Sequence, residues 1–171
     1  FLCEEFLGLR ERENGEPVGL LPFGSHLREH LRGGESDGER HPELLQIAGH
    51  FDGLSDELTL HMAKEEHVLF PYITALAEAV RSGGPLPPDV FGTVQNPIRM
   101  MEIEHQHVGD AFVAIRTLSS GYTPADDACT TYRLVYDELR AFESDLHRHV
   151  HLENNVLFPR AVRLEAEGTA R

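Results

Sequence analysis

A chain of 171 residues is sized for one domain with its own core, since roughly 70% of the unfolded surface is buried at that length. Fifteen Lys and Arg stand against 29 Asp and Glu, and the resulting formal charge of -14 repels phosphate backbones and anionic bilayers, which excludes nucleic acid and membrane surfaces as partners. Only Cys3 and Cys129 are present, without C-x-x-C spacing, so neither a disulfide framework nor a thiolate metal site is expected, and a reducing, cytoplasmic setting fits best.

The chain opens irregularly. Residues 1–24 read as a short helix, stopped at Asn14-Gly-Glu-Pro17, and a linker carrying Pro22 and Gly24. One domain is expected over residues 25–167, beginning with a helical stretch near Ser25 to Arg32 that Gly33-Gly34 ends. Over residues 43 to 80 the positions Ile47, Phe51, Leu54, Leu58, His61, Glu65, Val68 and Tyr72 alternate in steps of four and three, the stripe of a long amphipathic helix. Ser82-Gly-Gly-Pro-Leu-Pro-Pro-Asp breaks it, and Asn96-Pro97 marks the next start, because proline is tolerated in a first helical turn. There Ile98, Met101, His105, Val108, Phe112 and Ile115 share a face as far as Ser120-Gly121. Thr123-Pro-Ala-Asp-Asp then predicts the opening of a last helix, its acids placed against the N-terminal dipole, with Val135, Leu139, Phe142, Leu146, His149, Glu153 and Val156 on its stripe. No alternating strand pattern stands out. The expected fold is all-α, an antiparallel up-and-down four-helix bundle.

One motif is written twice. His61-Met-Ala-Lys-Glu65-Glu-His-Val-Leu-Phe-Pro71 and His149-Val-His-Leu-Glu153-Asn-Asn-Val-Leu-Phe-Pro159 both read H-x-x-x-E-x-x-V-L-F-P. Residues four apart lie one turn above each other, so each copy aims an imidazole and a carboxylate at a common point, a ligand set suited to iron, zinc or manganese. The stripes also sort the 11 histidines. His61, His105 and His149 fall on apolar faces. His107, His147 and His151 lie about 200° away from one, and His41, His50 and His67 fall off the stripes or in a loop, so all six are expected in solvent. A single histidine on an apolar face is more often a satisfied core group. Two carboxylates and three imidazoles on three helices in an apolar core are another matter, because unpaired buried carboxylates each cost several kcal/mol unless a cation compensates them. The competing interpretation is a buried His and Glu hydrogen-bond network. Pro71 and Pro159, six residues beyond Glu65 and Glu153, should bend their helices and splay them on one side of the site.

The stretches His61-Met-Ala-Lys-Glu-Glu, Leu69-Phe-Pro, Pro97-Ile-Arg-Met-Met-Glu-Ile-Glu-His105, Ala128-Cys-Thr-Thr-Tyr and His149 to Ala161 resemble the hemerythrin-like proteins, and among them the di-iron family that repairs iron centres. The resemblance, with Gly38-Glu-Arg-His-Pro-Glu-Leu-Leu45, spans residues 38 to 161. It implies two iron ions under an oxo or hydroxo bridge, with His61, His105 and His149 as terminal ligands and Glu65 and Glu153 bridging. It also implies a first-helix histidine, for which His26 in Ser25-His-Leu-Arg-Glu-His30 is the nearest candidate. At 1.5 Å per residue His61 lies roughly 28 Å into its helix and His26 roughly 10 Å before the Gly33-Gly34 break, so a simple hairpin does not bring them level. An irregular connection, substitution by His30 or a carboxylate such as Glu16, or no protein ligand at all on one iron are the alternatives. The implied function is binding of O₂ or nitric oxide in the protection or repair of iron–sulfur centres under nitrosative or oxidative stress, with iron–sulfur proteins as partners. A competing class is an O₂ or nitric oxide carrier or sensor without catalysis, and a third is a helical interaction domain with a structural metal or none.

Overall fold

The computed structural model describes residues 40–88 and 90–170. Five α-helices occupy them: α1 (Pro42–Lys64), α2 (Phe70–Ser82), α3 (Gln95–Leu118), α4 (Thr130–Leu152) and α5 (Phe158–Thr169). No strand occurs among the described residues, and none of their helices is long and apolar enough to cross a membrane. The expected short helix and linker over 1–24, the first helix of the bundle, and His26, His30 and Glu16 lie outside the described residues.

Two π-helical turns, Glu65–Leu69 and Glu153–Leu157, join α1 to α2 and α4 to α5. The cause is in the repeated motif. Proline has no N–H to give and its ring collides with the carbonyl four residues back, so an α-helical ladder cannot run through Pro71 or Pro159. Instead the Phe70 N–H reaches the Glu65 carbonyl, and the Phe158 N–H reaches that of Glu153, a spacing of five residues. Each proline then sits in the first turn of a fresh α-helix, where its missing donor is harmless. The wider turn advances the register by one residue. Val68 and Val156, expected on the stripes, are therefore 46% and 41% exposed, while Leu69, Phe70 and Phe158 take the buried positions.

The start of α4 also differs from expectation. Thr123 to Cys129 form turns, and the helix begins at Thr130. Ser120, Gly121 and Tyr122 all adopt left-handed backbone after α3, the Ala128 N–H closes a turn on Ala125, and Arg133 reaches back to the carbonyls of Ala125 and Asp126. These local bonds use up the backbone groups that an earlier helix would need. At the other loop, Gly83 takes φ +70° and the N–H groups of Gly83 and Gly84 both cap the Ala79 carbonyl, the stop foreseen for that glycine pair.

The helices are shared between two compact units, residues 40–58 with 107–147 and residues 59–106 with 148–170. In the first, Phe142 packs its ring on Phe51 and Phe112 at centroid distances of 5.6 and 5.8 Å. Tyr132 meets Glu43 and Phe142 meets Phe51, so α1 and α4 run the same way there. Glu143 is buried and accepts hydrogen bonds from the Tyr122 hydroxyl at 2.8 Å and from Arg116. His41 is a correction to the solvated role expected of it: it is 7% exposed, with its ring edge-on to Tyr132 and its nitrogens 3.4 Å from Glu43 and 3.6 Å from Asp127. The returning loop covers a residue that lies outside the helical stripe, which periodicity does not foresee.

In the second unit, Leu69, Ile73, Ile98, Met101, Phe158 and Ala161 form an apolar core. Glu165 on α5 accepts the Val94 N–H at 2.8 Å and the Thr93 hydroxyl at 2.7 Å, placing a carboxylate at the N-terminus of α3. Val94 pairs with Glu165 and His105 with Asn154, so eleven steps forward on one strand of the pairing are eleven steps back on the other. α3 is antiparallel to the rod of α4 and α5, as an up-and-down bundle requires.

Candidate metal centre

All five candidate ligands, the four motif residues and His105, fall in the second unit, and the structure brings them together. His61 closes the last turn of α1, His105 stands mid-α3 and His149 sits in the last turn of α4, while Glu65 and Glu153 open the two π turns. His61, Glu65, His105 and Glu153 are buried, and one ligand atom from each lies within 4.8 Å of the others. The Nε2 atoms of His61 and His105 approach to 3.2 Å. Glu153 lies 3.1 Å from His105 Nε2 and 2.9 Å from His149 Nε2, and Glu65 lies 3.3 Å from His61 Nε2 and 3.7 Å from His149 Nε2. His149 completes the group from the edge, its side chain 11% exposed.

Two residues that the stripes did not single out fix the imidazoles from behind. Glu104 accepts from His61 Nδ1 at 2.9 Å and is itself held by Lys64, while Asn154 Oδ1 takes His105 Nδ1 at 3.1 Å. With both Nδ1 atoms directed outward at acceptors, each ring turns its Nε2 lone pair inward. Glu104 and Asn154 are each the immediate chain neighbour of a motif residue, a position with no periodic signal. Their only mark in the sequence is an acceptor side chain beside a candidate ligand. The Phe158 ring stacks on His105 at 6.2 Å and an 8° interplanar angle, covering that side of the imidazole.

The donor set fits a cation. Both oxygens of Glu65, both oxygens of Glu153 and the His149 Nε2 are buried without an aligned hydrogen bond, although several neighbours are close. Short contacts without alignment are what remain when acceptors converge on a point rather than on one another. In the cation-free chain protons take up the imbalance. Burial opposes charge on His149, but Glu153 and Glu65 outweigh it and raise its pKa to about 10. Burial likewise opposes charge on Glu153, yet His105 and His149 hold its pKa at about 2. His61 is raised too, since Glu65 and Glu104 overcome its burial. Imidazole and carboxylate together suit a first-row transition metal, and among the described residues the converging ligand atoms are imidazole nitrogens and carboxylate oxygens.

Comparison with known proteins agrees with this chemistry. Residues 20–161 match the family model of the hemerythrin HHE cation binding domain. The chain is 40% identical over 142 residues to the iron-sulfur cluster repair protein YtfE of Dickeya chrysanthemi (strain Ech1591), covering 72% of this chain and 58% of that protein. It is also 40% identical over 119 residues to the protein of that name from Yersinia pseudotuberculosis serotype IB (strain PB1/+), and over 120 residues to that from Musicola paradisiaca (strain Ech703), each covering 70% of this chain and 48% of the relative. The chain thus spans about half the length of the curated relatives it matches.

Proposed function

The chain belongs to the hemerythrin HHE cation-binding family, and from that premise we propose that it is a non-haem di-iron protein serving the protection or repair of iron–sulfur centres. The observation that carries the reading is the convergence of buried, unaligned carboxylate oxygens and imidazole nitrogens from α1, α3, α4 and the two π turns. In this reading His61, His105 and His149 would hold the irons as terminal ligands, and Glu65 and Glu153 would be shared between them. His26, outside the described residues, is retained as the candidate for the remaining position.

When bound, the irons supply open, redox-active positions for O₂ or nitric oxide. The protein's own residues do the rest. Glu104 and Asn154 set the tautomers and ring orientations of His61 and His105. Phe158, part of an apolar core with Leu69 and Ile73, covers one side of the His105 imidazole, and an apolar neighbour strengthens the charge interactions of that ring. Iron–sulfur proteins follow as partners from the repair role for which the 40%-identical relatives are named, and the stress setting and a cytoplasmic location belong to the same reading.

The test is to incubate an iron–sulfur enzyme inactivated by nitric oxide with the iron-loaded chain under anaerobic conditions. Recovery of enzyme activity, dependent on Glu65 and Glu153, is expected. A chain that loads two irons and forms a stable, reversible nitric oxide adduct, yet restores nothing, is a carrier or sensor instead.

A further inference from the structure

Beside the centre, α3, α5 and the π turn before α5 line an open groove of about 470 Å³, within the range of small-molecule sites. Its floor is apolar, made by Ile98, Phe158 and Val162. Arg99 and Arg163 stand exposed in its lining, and neither makes an ion pair or hydrogen bond among the described residues. Glu102 stands in the same lining, so two positive charges against one negative leave the groove at +1 in a chain whose net charge is -14. A guanidinium is the side chain best shaped to grip a carboxylate. The groove therefore combines an apolar slot with a local surplus of one fork-shaped cation.

Asn154 connects this groove to the metal centre. It lines the groove, its Oδ1 holds His105 Nδ1 at 3.1 Å, and its amide N–H₂ has no partner among the described residues. Phe158 is shared in the same way, forming floor on one side and stacking on His105. We propose that the groove binds a small organic monoanion with an apolar body, a carboxylate read by Arg99 and Arg163, and that its occupancy is felt at His105 through Asn154. The binding itself needs no cation; its coupling to the centre rests on the di-iron reading above.

Phenylacetate is the probe, with neutral phenylacetamide as its near-isosteric control. Titrating phenylacetate into the metal-free chain should move the NMR signals of the Asn154 side-chain amide and the His105 ring, with those of His41 unchanged. Arg99→Ala and Arg163→Ala are surface changes that leave the core intact, and each should weaken binding about fivefold, the double variant more than tenfold. Equal affinity for phenylacetamide, an unchanged double variant, or no shift at Asn154 overturns the site. For the coupling, the chain is loaded with cobalt(II), and saturating phenylacetate should change its release rate at least about twofold in the parent but not in the double variant. Cobalt that binds but is released at the same rate overturns the coupling. A chain that takes up no cobalt while still binding phenylacetate removes the di-iron reading and leaves the groove standing.

Discussion

Replacing Glu65 with leucine separates a centre built for a cation from a buried ion-pair network built for stability. Glu65 has no exposed surface, and neither of its oxygens has an aligned hydrogen bond. A buried polar atom without a partner costs about 1–3 kcal/mol, and leucine fills a similar volume with no polar atom at all. The imidazoles that face Glu65 keep other carboxylates close by, Glu104 at 2.9 Å from His61 and Glu153 at 2.9 Å from His149, so the attraction lost is only part of theirs. Glu65→Leu should therefore stabilise the cation-free chain by about 1–2 kcal/mol, a rise of about 2–8 °C in Tm for a chain of this size. It should also abolish the response to ferrous iron. In the parent, a hundredfold excess over Kd adds about 2.7 kcal/mol, or about 5–11 °C. Scanning calorimetry with chelator, then with ferrous iron under anaerobic conditions, reads both effects. The reasoning fails if cation-free Glu65→Leu loses about 3–5 kcal/mol, as removing one partner from a structural buried pair does, or if the iron-induced rise survives.

Glu104→Ala frees His61 Nδ1, and iron affinity measured by chelator competition should fall about 10–100-fold with the fold intact; unchanged affinity would mean that Glu104 does not set the ring. Glu143→Ala strips Tyr122 and Arg116 of their shared acceptor and should cost about 2–3 kcal/mol in denaturant unfolding, while iron per chain stays the same. In the cation-free chain, His149, raised from 6.5 to about 10, contributes stability that is complete below pH 6.5 and is lost as pH rises through 10. Glu153, lowered from 4.5 to about 2, contributes stability that is complete above pH 4.5 and is lost as pH falls through 2. Because ligation needs His149 without its proton, loading iron near pH 7.5 should release at least about one proton per chain, visible with a pH indicator in weak buffer, and loading without release contradicts the assignment of His149.

Where burial follows helical period, the sequence was sufficient. Ile47, Phe51, Leu54 and Leu58, and Ile98, Met101, Val108, Phe112 and Ile115, are buried as their spacing demands. The same spacing gathered His61, Glu65, His105, His149 and Glu153, because three helices that bury one face each must also bury whatever polar groups lie on it. Periodicity stopped being a guide where the backbone changed its period. Val68 and Val156 follow the i+3 rule from Glu65 and Glu153, yet a π turn intervenes and the valines turn outward. The cue was present in Pro71 and Pro159, whose missing N–H is accommodated by a wider turn just before each proline. Glu104 and Asn154 are fixed by contacts with residues more than 40 positions away, and His41 is buried by a loop, neither of which a one-dimensional pattern contains.

The most direct test of the di-iron claim is an anaerobic titration of the metal-free chain with ferrous iron, followed by optical absorption and elemental analysis after desalting. Two irons per chain, retained in His147→Ala and His151→Ala and lost in Glu153→Ala, is the predicted result. Saturation at one iron, or iron held undiminished without Glu153, would contradict it.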